Sequence, residues 1–154
     1  VIRPVASADA PRIAAIYNHH VRETVVTFEE QPVADEEMAR RIAETTAAYP
    51  WLVSELDGVL VGYANASSWK RRSAYRYAIE STIYLAPEFR GQGLGRMLHD
   101  HAVKVFKARG MKKMRLSVAA RNAAAMDFYQ RLGWVDVGER VHRLPMRRME
   151  FTLP

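Results

Sequence analysis

The chain has 154 residues, 49% of them hydrophobic, and its 23 Lys and Arg against 17 Asp and Glu give a formal net charge of +6. Such a length suits one domain with a sizeable core, residues 1–154. With no cysteine, disulfides, thiolate metal sites and a cysteine nucleophile are excluded, which fits a reducing cytoplasm. No apolar run approaches the ~18 residues of a membrane span, and the N-terminus does not read as a signal peptide.

Residues 1–5 predict a short strand, and Ser7 or Asp9 a cap for a helix that spaces Ile13, Ile16, Tyr17 and His20 helically. A second helix is expected after Asp35, with Met38 and Ile42 inward. Two strands, about 51–56 and 59–66, flank Asp57-Gly58, a two-residue hairpin signal of the kind that needs positive φ. A third, about 77–85, sets Ile79, Ser81, Ile83 and Leu85 on one face and Glu80, Thr82 and Tyr84 on the other. A helix over 93–109 lines up Leu94, Leu98, Ala102 and Val105, and stops at Gly110. Met114, Leu116 and Val118 alternate as a strand; Asn122 then caps a helix with Ala125, Phe128, Tyr129 and Leu132 that ends at Gly133. Strands over 134–141 and 146–153, with a turn near Leu144 and Pro145, complete the chain. This order, without repeat or linker, predicts an α/β fold of mixed α+β character. The expected sheet is mixed and mostly antiparallel, of about seven strands, with a central βαβ unit and four helices.

The run RGQGLG, Arg90 to Gly95, joins the third long strand to the apolar helix after it. Glycines let backbone approach a ligand with no Cβ between, and the first helical amides have no intrahelical acceptor. Together with the helix dipole, that makes a cradle for linked phosphates. The positive charge likewise points to an anionic partner. Lys104, Lys107, Arg109, Lys112, Lys113 and Arg115 straddle a helix C-terminus, where cations complement the dipole and form a solvated face.

The order of elements, RGQGLG at the third helix and Asn122, Ala125, Phe128, Tyr129, Leu132 and Gly133 on the fourth together resemble the GNAT family of acetyl-CoA-dependent N-acetyltransferases. Arg90, Gly93 and Gly95 match the family's Arg or Gln, two variable residues, Gly, one variable residue, Gly or Ala. Within the family the first two thirds resemble the phosphinothricin and methionine sulfoximine acetyltransferases. The matching stretches are IYNH at Ile16, VTF at Val26, YPWLV at Tyr49, WKRRSAY at Trp69 and EST at Glu80. The last third departs: a short RVHRLPMRR replaces a longer glycine-rich segment with a Trp, and Tyr129 stands where that subfamily has His.

The resemblance implies acetyl-CoA as co-substrate, lying where the third long strand splays from the strand of Met114. Ile83, Tyr84 and Leu85 would pair with its pantetheine arm, Arg90, Gly91, Gln92, Gly93, Leu94, Gly95 and Arg96 would wrap its pyrophosphate, and Asn122 would add a hydrogen bond. A backbone amide near Leu85 would meet the thioester carbonyl. Deprotonating a lysine-like amine costs about 4.6 kcal/mol at pH 7, an α-amine near pKa 8 about 1.4. Glu80 is the candidate base, directly or through water, with an ordinary strand Glu paired to an Arg as the alternative. Tyr129 matches the family Tyr that serves the departing sulfur, its alternative being a core side chain. Lys70, Arg72 and Tyr75, faced by Phe28 and Glu29, resemble the subfamily's wall for an anionic acceptor, since Arg binds carboxylate or phosphinate bidentately; a solvated basic turn is the other reading.

No metal is expected: His99 and His101 point to nearly opposite sides of a helix and cannot share an ion. His19 and His20 read as lining the cleft or packing in the core, with packing favoured, and His142 has no readable partner. The function implied is direct acetylation of the α-amine of a small amino acid or analogue, by a cytoplasmic homodimer without nucleic-acid or membrane partner. The alternatives are a protein N-terminal acetyltransferase and, outside enzymes, a basic nucleic-acid-binding module. The latter fits poorly, because aromatics interleave with the basic clusters only at Trp69 and Tyr75.

Overall fold

Asp57 and Gly58 adopt φ of 51° and 77°, the two positive values that a tight turn needs to match the twist of its flanking strands. They join β2 (Trp51–Leu56) to β3 (Val59–Ser68). Both belong to a computed structural model that describes residues 1–23, 29–68, 77–119, 122–141 and 145–154. The other elements are β1 (Ile2–Pro4), α1 (Ala10–Glu23), α2 (Asp35–Thr46), β4 (Ala78–Leu85), α3 (Leu94–Ala108), β5 (Lys113–Ala119), α4 (Ala123–Arg131), β6 (Val135–Val141) and β7 (Pro145–Thr152). Over the described residues they form one seven-stranded sheet in the order β1-β2-β3-β4-β5-β7-β6. Every neighbouring pair is antiparallel except β4 and β5, the parallel pair that α3 bridges.

Alternation along the strands divides the interior into two layers. Leu52, Ala64, Ala66 and Ile79 join Leu98, Ala102 and Phe106 of α3 on one face, with Tyr129 and Trp134. Trp51, Val53 and Tyr63 join Ile13, Ile16, Met38 and Ile42 of α1 and α2 on the other. The inward stripe of α3 is Leu98, His99, Ala102 and Phe106, turned slightly from the expected one: Leu94 and Val105 lie at its edges. His99 is admitted to the core because both ring nitrogens have partners. Trp134 Nε1 donates to its Nε2 at 2.9 Å, so Nδ1 carries the proton toward Asp100 at 3.1 Å.

One expected cap is different. Ser7–Asp9 forms a 3-10 turn ahead of α1, and the Asp9 carboxylate accepts the Ala6 N–H at 2.7 Å while Arg3 grips it at 2.8 and 2.9 Å. The ion pair, tying β1 to the first helix, claims the group that would have capped. The expected cap on α4 forms: Asn122 Oδ1 accepts the Ala125 N–H at 3.2 Å. Of the expected turn near Leu144 and Pro145, Leu144 lies outside the described residues and Pro145 opens β7.

Candidate active site

β4 is paired with β3 from Ile79, opposite Ser68, to Leu85, opposite Gly62. Its pairing with β5 covers only Ala78 with Lys113, Ile79 with Met114 and Glu80 with Arg115. Beyond Glu80 the two strands part. The Ala86 N–H donates to the Val61 carbonyl at 2.8 Å, and hydrogen-bonded positions alternate along an antiparallel pair. Tyr84, Thr82 and Glu80 therefore direct their main-chain groups at β3, and Leu85, Ile83, Ser81 and Ile79 direct theirs at the β5 side. From Ile83 onward that side is the gap. Ser81, the first residue past the last shared pair, is 4% exposed, and its hydroxyl has no hydrogen-bond partner; such orphans are rare in folded proteins.

The glycine run lies at the mouth of the gap. Gly91 and Gly93 take φ of 75° and 79° with open space where a Cβ would stand, so main chain is bare toward solvent. Gly93 caps α3, whose first internal bond is Met97 N–H to Gly93 carbonyl at 3.1 Å. The amides of Leu94, Gly95 and Arg96 have no intrahelical acceptor, and the first turn carries no acidic residue. At Gly95 a Cβ would come within 3.3 Å of Leu85 and of the Phe128 ring. Glycine there lets α3, α4 and the end of β4 close together. Gln92 turns its side chain back to the Glu88 carbonyl at 3.4 Å, and Arg96 is exposed near Asp100.

Arg90 is tied to the gap through His20, a residue whose helical spacing allows either the cleft or the core. His20 is 3% exposed, and its Nε2 lies 3.3 Å from the Leu85 carbonyl while Arg90 Nη2 lies 3.4 Å from its Nδ1. Desolvation, then the charges of Arg90 and His19, pull its pKa down to about 4, against the Leu85 carbonyl. The ring is neutral at pH 7, so Nε2–H donates to Leu85 and Nδ1 accepts from Arg90. His20 also packs on Tyr84, ring centroids 4.8 Å apart. Helical spacing could place His20 inward but could not reveal its two partners, 65 and 70 residues away.

Glu80 is half-buried at the point of parting, on the same strand face as Thr82 and Tyr84. Burial raises the pKa of Tyr84, and electrostatic interaction with Tyr17, Tyr129, Glu29 and Glu80 acts in the same direction. These groups therefore lie within electrostatic reach of one hydroxyl. Tyr129 is held in the core by Phe128 and Trp134, at centroid distances of 5.0 and 5.2 Å, and burial drives its pKa up. It stays a neutral O–H donor at any working pH.

Glu29 is described; Phe28, Lys70, Arg72 and Tyr75 lie outside the described residues. The Glu29 carboxylate binds Arg41, with Nη1 at 3.0 Å and Nη2 at 2.5 Å, and Arg41 holds its pKa below the usual range. Beside this pair a cavity of about 290 Å³ opens between α1, α2 and the sheet, reaching Trp51, Tyr63, Asn65, Thr82 and Tyr84. Among the described residues, no three His, Cys, Asp or Glu side chains gather as metal ligands and no helix is long and apolar enough to cross a membrane.

Comparison with known proteins bears on this geometry. Residues 13–134 match the acetyltransferase (GNAT) family. A phosphinothricin N-acetyltransferase of Alcaligenes faecalis is 39% identical over 139 residues, 89% of this chain and 71% of that protein. An L-methionine sulfoximine/L-methionine sulfone acetyltransferase of Salmonella typhimurium is 34% identical, over 86% of this chain and 78% of its own length. The crystal structure of a GNAT superfamily phosphinothricin acetyltransferase from Sinorhizobium meliloti, in complex with acetyl-CoA, superposes with a TM-score of 0.92 at 32% identity, over 99% of this chain and 88% of the other. The parted strands, the orphaned Ser81 hydroxyl and the bare glycine loop fit that co-substrate. The chain belongs to the GNAT family of acetyltransferases and is an acyltransferase that uses acetyl-CoA.

Proposed function

We propose that the protein acetylates the α-amine of a small amino acid or amino-acid analogue, of the phosphinothricin or methionine sulfoximine type, by direct transfer. The observation that carries this reading is the position of Glu80, a carboxylate at the point where β4 and β5 part. Acetyl-CoA supplies an acetyl thioester there. Ile83 and Leu85 offer main-chain groups to its pantetheine arm, with the Leu85 N–H available to the thioester oxygen, while Arg90, Gly91, Gln92, Gly93, Leu94, Gly95 and Arg96 meet its pyrophosphate. Tyr84 stiffens the same strand by packing on His20, and Asn122 borders the arm at the start of α4.

Glu80 takes the proton from the acceptor's ammonium, directly or through a water, and so lowers the cost of presenting a neutral amine. An α-amine demands less of this base than a lysine side chain does. Tyr129, kept protonated by burial, donates to the departing sulfur. Phe28, Glu29, Lys70, Arg72 and Tyr75 are the acceptor-binding residues of this reading. We read the enzyme as a cytoplasmic homodimer; exposed Val135 and Val137 on the edge strand β6 support the pairing.

The test is an acceptor panel read by release of free thiol: phosphinothricin, methionine sulfoximine, methionine sulfone, methionine and short peptides with free N-termini. Turnover of the amino acids at least tenfold above the peptides is expected. Turnover of peptides alone would replace this reading with N-terminal protein acetylation.

A further inference from the structure

Two arginines stand side by side on β7, and the fold treats them differently. Arg147 gives its Nε and Nη2 to Asp136 at 2.8 and 2.7 Å. Arg148, on the opposite face of the strand, has neither a carboxylate nor a hydrogen-bond partner among the described residues. Its side chain is half-buried and its Nε fully so. A guanidinium does not escape burial by losing its proton, and a buried charged donor without an acceptor is costly. Such a group calls for an anion.

The register of the sheet says where this cation stands, because residues paired across strands share a face. Glu80 of β4 is opposite Arg115 of β5, which is opposite Glu150 of β7. Two residues farther on, Ser117 and Arg148 are the next pair on that face. β5 runs parallel to β4 toward the open end, so Arg148 is level with the part of β4 that has left β5 and lies one strand in from the gap. Its neighbour on β6 is Gly138, where a Cβ would meet nothing within 4 Å. Among the described residues, the layer built by α1 and α2 includes no residue of β5, β6 or β7.

The charges on this face leave Arg148 in excess. Glu150 binds Lys113 at 2.7 Å and Arg115 at 3.0 Å, and Lys113 and Arg115 hold its carboxyl below the usual range. Between the Cα atoms of Arg148 and Glu80 lie two strand spacings of about 4.8 Å and a two-residue step of about 6.6 Å, roughly 12 Å in all. Extended, the two side chains reach about 7 and 4 Å from their Cα atoms. The nitrogen and carboxylate carbon of an α-amino acid are about 2.5 Å apart. That ligand, with a hydrogen bond at each end, spans the distance without either arm fully stretched.

We infer that Arg148 binds the α-carboxylate of the acceptor, so that the site takes a zwitterion, ammonium toward Glu80 and carboxylate on Arg148, in preference to amines whose carboxyl is amidated or absent. The inference rests on the reading that Glu80 receives an amino acid's α-amine. The planar fork offers a carboxylate two parallel bonds.

The experiment compares kcat/KM for L-methionine sulfone and for its α-carboxamide, by thiol release from acetyl-CoA with the full chain. The wild type should favour the free acid by about 10- to 100-fold, the loss expected for a hydrogen bond to a charged group. Arg148→Met, which keeps an arm of similar length, should bring the ratio near one by raising KM for the acid, with KM for acetyl-CoA within about twofold of wild type. Arg148→Lys keeps the charge without the fork and should restore part of the preference, whereas Arg147→Met, on the other face, should leave the ratio as it is. A binding readout independent of turnover is the arginine Nε–H region of a ¹⁵N-labelled sample, in which the Arg148 signal is identified by its loss in Arg148→Lys. With coenzyme A present, L-methionine sulfone should move that signal and the carboxamide should not. If Arg148→Met fails to fold, Arg148→Lys and the wild-type spectrum carry the test. A wild-type ratio near one, a ratio indifferent to replacement of Arg148, or an Arg148 signal indifferent to the amino acid would each overturn the inference. Should peptides be acetylated and no amino acid, the functional reading falls, and the Arg148 signal still decides whether this residue binds a carboxylate.

Discussion

The two ends of β4 share a strand and differ in their neighbours. At Ile79 and Glu80 the strand is paired on both sides, to β3 and to β5; beyond Glu80 only the pairing with β3 continues, to Leu85. The closed end is ordinary sheet interior, where Ile79 and Met114 are 1% and 0% exposed. The open end leaves main-chain groups of Ile83 and Leu85 facing a gap rimmed by bare glycine backbone, with the unpartnered Ser81 hydroxyl buried beside it. A sheet normally satisfies its own polar groups. Interruption of the parallel pair after three residues therefore turns a structural element into a binding surface, and Glu80 stands at the boundary.

The comparison breaks most decisively at that boundary. Glu80→Gln should lower kcat about 10²- to 10³-fold, within the span of general acid–base effects, and leave the acetyl-CoA Kd within about twofold. Thiol-release kinetics and calorimetry check the two halves of this statement. The pH profile of kcat/KM should change in the Gln variant, and an unchanged profile would remove Glu80 as the base. Tyr129→Phe comes next, with kcat expected to drop about 10- to 100-fold and KM for acetyl-CoA nearly constant; equal loss of both would make Tyr129 a packing residue.

The open end can be sharpened at its rim. At Gly93 a side chain would be strained by φ of 79°, at about 1–2 kcal/mol, and would stand beside the amides proposed to meet the pyrophosphate. Gly93→Ala should raise KM for acetyl-CoA about tenfold and change kcat little. The smallest effect concerns the tie between the gap and the loop. His20 has its pKa lowered to about 4 from 6.5, so between those values the unfolded chain binds more protons than the folded one. Stability then rises with pH across that window and is lost as pH falls toward 4. His99, also lowered by burial, acts in the same direction. His20→Asn should flatten part of the fall in Tm between pH 6.5 and 5, measured by calorimetry against the wild type; an identical slope would remove His20 from the account.

What was legible in the sequence is what short-range physics writes there. Asp57-Gly58 specified its hairpin because positive φ at two successive positions leaves few residue choices. RGQGLG was readable because glycine before an apolar helix marks close approach, and alternation from Ile79 to Leu85 gave both faces of β4. The insertion of β7 between β5 and β6, the parting after Glu80 and the pairing of His20 with Leu85 and Arg90 join residues dozens of positions apart, and no local pattern encodes such distances. Trp51 shows the limit within a single side chain. The stretch around it carried family resemblance, but its unbonded indole N–H and its place at the cavity exist only once α2 and β3 are assembled around it.

The grip of Glu29 on Arg41 has a consequence for how the surface of this chain could change over evolutionary time. The pair stands beside a cavity whose deeper walls belong to the apolar layer of α1, α2 and the sheet, so either partner can be exchanged without disturbing the packing beneath. Chains with the same core and the same parted strands could then diverge in the charge they present beside that cavity through replacement of a single residue.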